Sequence, residues 1–202
     1  MSQTHWIHLL PKSHPDPVTW ARLIAAQRDF RLHALRTNPA SFSSTYAKEA
    51  AFNDSQWEAR LQNPLALTLI AVRNPKAAES KTQERQYTVQ DCIEGEWEGT
   101  AVLFGPSPGQ ASTSDDNTIP TFEIFGLFVL PSARGRGIGT SLVEVSIGQA
   151  VARAGSREVI IKVRAAAGNA KVVGLYGNLG FDAVQGKEVE TGEVVMELRR
   201  GV

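Results

Sequence analysis

The sequence predicts an α/β fold, in which a mixed central sheet is flanked by helices within a single domain. Short apolar or β-branched runs bounded by Gly, Pro and Asn alternate with longer stretches whose apolar residues recur at helical spacing. The second half has the order strand, glycine-rich loop, helix, strand, helix. A chain of 202 residues that is 42% hydrophobic can bury a core of its own without disulfides or a structural metal.

Two helices are predicted in the first part of the chain. Asp16-Pro17 can begin the first, because the aspartate caps free amides and proline suits the first helical position. Asn38-Pro39 ends the apolar stripe of that helix, and residues 39–54 resemble a loop. Asp54 or Ser55 can cap a short second helix that ends before Pro64.

The predicted strands lie on both sides of two polar segments. Residues 65–72 and 100–104 have the strand signature, and residues 121–130 are so apolar that they predict a central strand. The polar segments, residues 74–90 and 105–119, are predicted to be surface insertions within one domain that spans residues 1–202.

After the central strand, the pattern changes to a glycine- and arginine-rich turn at residues 133–139 and then to a helical stripe that Gly155 terminates. Residues 159–163 predict another buried strand. Asn169 can cap a last helix that closes at Gly180, and two short strands are predicted near residues 181–184 and 193–198.

The charge balance and the cysteine count exclude several classes of protein. Lys plus Arg equals Asp plus Glu at 21 each, which disfavours nucleic acid as a partner, and no hydrophobic stretch is long enough to predict a membrane span. The single thiol, Cys92, fits a reducing compartment, so we expect a cytoplasmic protein, with a nuclear location left open. The four histidines all precede Pro39 without metal-ligand spacing, and no metal site is expected.

The glycine-rich turn is the predicted functional loop. It comprises Arg134, Gly135, Arg136, Gly137, Ile138, Gly139 and Thr140. A strand-to-helix junction exposes unpaired amides at the positive end of the helix dipole, and glycines let a phosphate group approach the backbone closely. A dinucleotide-binding fingerprint needs a third glycine at the position of Thr140, so binding of a dinucleotide is not supported. A nucleoside triphosphate loop needs Ser or Thr after Gly-Lys, and the one Gly-Lys pair is followed by Glu188, so that ligand is not supported either. A packing role for the glycines is the alternative.

At this point the residues resemble the GNAT superfamily of acyl-CoA-dependent N-acyltransferases. Residues 134–139 fit its signature, [RQ]-x-x-G-x-[GA], residues 125–131 look like the strand that precedes the signature, and Asn169 with residues 175–181 looks like the helix that follows. The continuous likeness runs from about Thr121 to Phe181. Weaker similarity extends to residues 38–42 and 57–61.

The resemblance implies acetyl-CoA as co-substrate. Backbone amides of residues 134–140 would hold its pyrophosphate, and its pantetheine arm would lie along Leu127, Phe128 and Val129, where an amide would polarise the thioester carbonyl. Asn169 is a candidate for bonding the pantetheine, although a plain helix cap explains it equally well.

The resemblance also implies two catalytic residues. Tyr176 occupies the position of the general acid that protonates the departing thiolate, and the alternative is a core tyrosine with a satisfied hydroxyl. Glu123 is the candidate base, because strand alternation places it on one face with Phe125 and Leu127, unless a bulge in the strand exchanges the faces. A solvated position at the start of the strand is the other possibility for Glu123.

The acceptor predicted from these features is a small-molecule primary amine. A protein lysine or N-terminal amine is the nearest alternative, and a non-catalytic acyl-CoA-binding module is a third. In the family, the acceptor is approached from the loop after the first helix and from the terminal hairpin, here residues 39–54 and 186–193. Glu188, Glu190 and Glu193 in that hairpin are expected to be a solvated surface, and attraction of a cationic amine is the alternative. The oligomeric state is expected to be monomer or homodimer.

Overall fold

The computed structural model of the chain describes residues 5–73, 88–106, 119–155, 157–166, 168–184 and 192–201. The strands are β1 (His5–Leu9), β2 (Ala66–Arg73), β3 (Trp97–Phe104), β4 (Thr121–Val129), β5 (Val159–Ala166), β6 (Asp182–Ala183) and β7 (Glu193–Arg200). The helices are α1 (Pro17–Thr37), α2 (Tyr46–Ala50), α3 (Asp54–Gln62), α4 (Val89–Glu94), α5 (Ile138–Ala154) and α6 (Ala170–Asn178).

The strands described form one mixed sheet in the order β1-β2-β3-β4-β5-β7-β6. Strands β4 and β5 are parallel, and the other neighbouring pairs are antiparallel. The predicted α/β fold with a mixed central sheet is therefore confirmed, and the strand predicted to be central is the fourth of seven.

Helices cover both faces of the sheet because successive strand residues point to opposite sides. On one face, Leu69 and Ala101 join the apolar cluster that contains Leu142 and Val143 of α5. On the other face, Ile70 belongs to the cluster around Leu23 of α1. The two clusters fix α5 and α1 on opposite sides of the central strands.

The predicted ends of the long helices agree with the structure. Asp16 caps α1 by accepting a hydrogen bond of 2.9 Å from the Thr19 amide, and Gly155 follows the last residue of α5 with φ 67°. The predicted cap of α3 was wrong by one residue. Asn53 forms the cap instead, since its side chain bonds the Gln56 amide while Gln56 bonds back to Asn53.

Three elements were not predicted from the sequence. The stretch before the first predicted helix, for which no element was predicted, forms the edge strand β1, which pairs with β2 along its whole length. Helix α2 lies in the expected loop after α1, and α4 includes the last two residues of the first predicted polar insertion. Residues 74–87 and 107–118 of the two predicted insertions lie outside the described residues.

Among the described residues, no helix combines the length and the apolar composition that a membrane crossing requires.

Candidate functional site

A cavity of about 1150 Å³ lies where β4 and β5 separate. The two strands pair only from Thr121 with Ile160 to Ile124 with Val163, although β4 continues to Val129 and β5 to Ala166. Beyond Ile124, the edge of β4 that faces β5 therefore lacks a partner strand. A ligand can occupy this gap and meet the backbone of β4 directly.

A bulge lies in β4 at the beginning of this gap. Thr100 of β3 is opposite Phe128, whereas Val102, two residues further along β3, is opposite Phe125. Strand β4 thus carries one residue more than its partner over this stretch. Gly126 lies there with φ 58°, in the left-handed region that glycine adopts without a steric penalty.

The extra residue exchanges the two faces of β4. Leu127 and Val129 pack against the α5 cluster that also holds Ile124, whereas the Phe128 ring is 5.9 Å from the ring of Phe30 on α1. Glu123 therefore does not share a face with Leu127, and the alternative stated for a bulge in this strand is the one that applies. Residues 127–129 all line the cavity, as expected for the proposed pantetheine strand.

The glycine-rich turn and the start of α5 form one end of the cavity. Gly135 and Gly137 have φ values of 78° and 80°, and a Cβ atom on either would find no atom within 4 Å. Conformation rather than crowding therefore requires glycine at these two positions. Gly139 differs, because a Cβ atom there would lie 3.2 Å from Leu175 Cδ1 of α6.

The first turn of α5 leaves its backbone amides without a side-chain cap. Its N-cap residue is Gly137, and no acidic side chain occupies the first turn. Ile138, Gly139 and Thr140 line the cavity, where their amides lie at the positive end of the helix dipole. The arrangement suits a phosphate group, and phosphate binding here stays a prediction.

The two arginines of the loop lie in different places. Arg134 lines the cavity and is held by hydrogen bonds to the Val129 carbonyl (3.1 Å) and the Asn38 side-chain oxygen (2.9 Å). Arg136 is not among the cavity-lining residues. Its Nη1 donates to Glu98 Oε1 at 2.8 Å, so its guanidinium is directed to the sheet rather than to a ligand.

Asn169 caps α6 and lines the cavity, and its bond to a pantetheine stays a prediction. Its side-chain oxygen accepts a bond of 3.3 Å from the Val172 amide, which makes it the cap of α6, and the residue also lines the cavity. Lys171 of the same helix is a cavity-lining cation that sequence reasoning did not single out. Its ammonium group adds to Arg134 a second charge suited to a phosphorylated ligand.

Tyr176 lines the same cavity from α6 and is only 3% exposed. Its ring lies 5.5 Å from the ring of Phe181, which fixes its orientation. Burial disfavours the phenolate and raises the pKa of Tyr176 to about 12. The hydroxyl therefore keeps its proton throughout the neutral range.

Glu123 lies on the cavity wall and forms an ion pair that the sequence did not indicate. Arg164 of β5 donates from Nε to Glu123 Oε1 at 2.8 Å, across the point where β4 and β5 separate. The Glu123 side chain is 21% exposed and the Arg164 side chain 51% exposed. Glu123 is thus neither surrounded only by apolar groups nor fully solvated, because its carboxylate faces both a guanidinium and the cavity.

Another part of the cavity lining is a charged cluster of Arg31, Glu49 and Arg60, in which Glu49 is buried and the two arginines are partly exposed. Arg31 binds the Glu49 carboxylate through Nε and Nη2, at 3.0 and 2.7 Å, and Arg60 binds it at 2.8 Å. Burial raises the pKa of the 2%-exposed Glu49, but the bonds and charges of the two arginines outweigh it, and the pKa is lowered overall.

The acceptor regions predicted from the resemblance are partly described. Phe42 and Glu49, from the loop after α1, line the cavity, and so does Glu193 at the beginning of β7. Glu188 and Glu190 lie outside the described residues. The part of the chain that the structure describes contains no group of three or more His, Cys, Asp or Glu side chains able to hold a metal ion.

Known structures share this sheet and its helices. An acetyltransferase of the GNAT family from Streptococcus pneumoniae aligns over 98% of this chain and 99% of its own, with a TM-score of 0.61 at 15% identity. Arabidopsis thaliana NAA60 in complex with a bisubstrate analogue aligns over 97% and 100%, with a TM-score of 0.53 at 14% identity. AAC(6')-Iy bound to the bisubstrate analogue CoA-S-monomethyl-acetylneamine aligns over 88% and 90%, with a TM-score of 0.54 at 16% identity.

These likenesses define the class of fold, which is that of the N-acetyltransferases. Comparison with curated proteins gives no match. A sequence model described as the acetyltransferase (GNAT) family matches residues 42–181, and the chain belongs to that family. The resemblance stated from the glycine-rich loop is thereby confirmed.

Proposed function

We propose that the chain is an N-acetyltransferase that moves the acetyl group of acetyl-CoA to the nitrogen of a small-molecule primary amine by direct attack. One observation carries the proposal. A single cavity joins the uncapped amides of α5, the open edge of β4, and the side chains of Tyr176 and Glu123. Phosphate recognition, thioester positioning and proton transfer can therefore occur in one place.

The residues at the phosphate end fit coenzyme A. The amides of residues 138–140 would receive the pyrophosphate, and Arg134 and Lys171 supply positive charge beside it. The open edge of β4 along residues 127–129 suits the amide groups of the pantetheine, and Asn169 lies beside this path.

Acetyl-CoA, when bound, supplies a thioester, whose carbon–sulfur bond breaks as the carbon–nitrogen bond to the amine forms. An amide N–H on the open edge of β4 would polarise the carbonyl oxygen and stabilise the negative charge that develops there. A single donor of this kind contributes about 3 to 4 kcal/mol when it is aimed at the developing charge.

Glu123 is the proposed base. An alkylammonium has no lone pair for attack, so the amine must lose a proton before or during bond formation. The Glu123 carboxylate faces the cavity and can accept that proton directly or through one water. Arg164, at 2.8 Å, would hold the carboxylate in place at the mouth of the gap.

Tyr176 is the proposed acid. The departing thiolate needs a proton, and the buried phenol carries one at every pH at which the enzyme would work. The cavity position of Tyr176 supports this role, which it would combine with packing against Phe181 in the core.

Two alternatives to this proposal are an acetyltransferase that acts on proteins and a module that binds acyl-CoA without catalysis. A protein lysine or N-terminal amine would need room for a peptide, whereas the lining around the buried Glu49 consists of side chains bonded to one another, which favours a compact acceptor. A non-catalytic acyl-CoA-binding module would bind the ligand but would not consume it.

The test begins with titration calorimetry of the purified chain with acetyl-CoA, with ATP and NAD as controls. We expect micromolar binding of acetyl-CoA alone. Thiol release is then measured with a panel of small primary amines and with lysine-containing and free-N-terminal peptides. Release with small amines supports the proposal, and release with peptides alone identifies a protein acetyltransferase. Binding without release identifies the non-catalytic module, whereas a folded sample that does not bind acetyl-CoA contradicts the proposal.

A further inference from the structure

The acceptor end of the cavity has a surplus positive charge beside the bulge of β4. Arg31 and Arg60 contribute two guanidinium groups, and both bind the single carboxylate of Glu49. The Arg31 side chain is only 15% exposed and that of Arg60 is 36% exposed, so water screens their mutual repulsion incompletely. An additional anion at this place would balance the charge.

The free end of the Arg31 guanidinium is directed to the reaction centre. Nε and Nη2 bind Glu49, whereas Nη1 is 3.5 Å from the position that a Cβ atom on Gly126 would occupy. Gly126 lies at the bulge, where β4 and β5 have just separated. The Nη1 hydrogens of Arg31 are therefore available at the point where an acceptor would meet the acyl group.

Aromatic side chains hold Arg31 in this position and give the cavity an apolar surface. The guanidinium carbon of Arg31 lies 4.6 Å from the centre of the Phe42 ring, which lies 6.3 Å from the ring of Phe128. Phe125, which is 42% exposed, is another aromatic residue of the cavity wall. An acceptor bound here would contact a guanidinium and aromatic rings together.

A neighbouring polar atom is left without a partner. Gln27 lies one helical turn before Arg31 and also lines the cavity. Its residue is 8% exposed, and its Oε1 atom is buried with no hydrogen-bond partner in the structure. A buried carbonyl oxygen without a donor is costly, so a ligand N–H at this position would be favourable.

We infer that the acceptor is an amino acid with an apolar side chain, whose carboxylate binds Arg31 and whose side chain contacts the phenylalanines of the cavity. This inference rests on the proposed function, since it names the substrate class of that same site. Guanidinium groups are suited to carboxylates because their parallel N–H groups match the two oxygens, and burial strengthens the pairing.

The test compares L-phenylalanine with L-phenylalaninamide, which differ in the carboxylate alone. Thiol release is measured for both, and kcat/KM is expressed per unprotonated amine because the two amino groups differ in basicity. We expect kcat/KM to be at least about tenfold higher for L-phenylalanine, which corresponds to one charge-assisted interaction. Equal values, or a preference for the amide, would overturn the inference while leaving the acetyltransferase proposal intact.

The variant that tests Arg31 must not leave Glu49 buried with an incomplete set of partners. The double substitution Arg31→Gln with Glu49→Gln removes one charge of each sign and leaves Arg60 as the remaining cation of the cluster, so we expect the preference for the carboxylate to fall toward one. Arg28→Gln is the matched control, because Arg28 lies on the same helix but pairs with Asp29 and Asp54 away from the cavity lining. An unchanged preference in the double variant, confirmed to be folded by circular dichroism, would contradict the role of Arg31.

A binding measurement keeps the inference testable even without turnover. Titration calorimetry of the coenzyme A-saturated chain with both compounds should give tighter binding of L-phenylalanine, with the difference lost in the double variant. Equal binding of the two compounds, or no binding of either, would overturn the inference. The acetyltransferase proposal fails separately, through absence of acetyl-CoA binding or of acetyl transfer to every amine.

Discussion

Glu98 has no exposed surface, and its Oε1 accepts a bond of 2.8 Å from Arg136 in the glycine-rich loop. The same oxygen accepts a second bond of 2.8 Å from Arg73 of β2. The loop is therefore tied to the middle of the sheet by a buried charge, and its position depends on a residue that precedes it by 38 positions.

Removal of this charge should loosen the loop. We expect Glu98→Gln to lower the free energy of unfolding by about 2 kcal/mol, because it weakens the charge-assisted hydrogen bonds that Arg73 and Arg136 donate to a buried oxygen. It should also raise KM for acetyl-CoA severalfold with a smaller effect on kcat. Glu96→Gln is the control, since the ion pair of Glu96 with Arg73 is exposed and such pairs contribute about 1 kcal/mol or less. Urea unfolding and initial rates check both, and equal effects of the two variants would argue against the tether.

Gly137 should tolerate a side chain poorly for conformational reasons alone. A Cβ atom there meets nothing, but φ of 80° costs an L-residue about 1 to 2 kcal/mol. We expect Gly137→Ala to weaken acetyl-CoA binding in calorimetry as the loop relaxes. Gly148→Ala, in the exposed middle of α5, should instead stabilise the chain by up to about 1 kcal/mol and leave binding unchanged. If both variants bind equally well, the left-handed turn has no part in ligand binding.

Tyr176→Phe should separate proton transfer from binding. We expect kcat to fall about 100-fold, within the usual range for general acid catalysis, with little change in the affinity for acetyl-CoA. Because burial raises the pKa of Tyr176 to about 12, its ionisation should produce no loss of rate in the native enzyme below about pH 10. A pH–rate profile to pH 10 and calorimetry of the variant measure these effects. A variant with unchanged kcat would assign Tyr176 to packing alone.

Cys92 should make the fold sensitive to alkali. Burial raises the pKa of its thiol to about 11, and the charge of Asp91 acts in the same direction. The folded pKa lies above the unfolded value, so the stability contribution is complete below about pH 8.5 and is lost as the pH rises through about 11. The difference between the folded and unfolded pKa of Cys92 corresponds to about 2 to 3 kcal/mol of folding free energy.

The measurement for Cys92 is urea unfolding from pH 7 to pH 11 in the native chain and in Cys92→Ala. The native chain should lose stability over this interval more steeply than the variant, even if the variant is less stable at pH 7 because of the small cavity it creates. An identical pH dependence of the free energy of unfolding in both proteins would mean that the thiol does not cause the loss of stability in alkali. Tyr176 adds a loss in the same direction at still higher pH, which the variant retains.

The parts of the fold and the site that the sequence predicted depend on interactions between residues close to one another in the chain. The caps at Asp16 and Asn169 and the strand-to-helix turn at residues 134–140 follow from local chemistry, and the structure contains all three. The glycines of that turn are informative because backbone conformation is a local property.

The unpredicted parts depend on contacts between distant segments. Glu49 meets Arg31 and Arg60 from separate helices, and Arg164 meets Glu123 across two strands, so no spacing in the sequence relates these partners. The sequence does indicate the bulge, since Gly126 interrupts an otherwise apolar strand. It does not indicate which side chains change face. The sequence also indicates the beginning of helix α4, because Thr88 and Asp91 are spaced as in the capping box that they form.

The gap between β4 and β5 has a consequence for how such a protein can diversify. Every residue type except proline carries a main-chain N–H and C=O, so a carrier held by the free edge of β4 would not depend on which side chains follow one another along residues 127–129. Substitutions there would alter the shape of the space around the acyl group while the carrier keeps its backbone partners. Under the proposed function, recognition of the carrier and choice of the group it delivers would depend on different atoms of the same strand, so that selection could change one without losing the other.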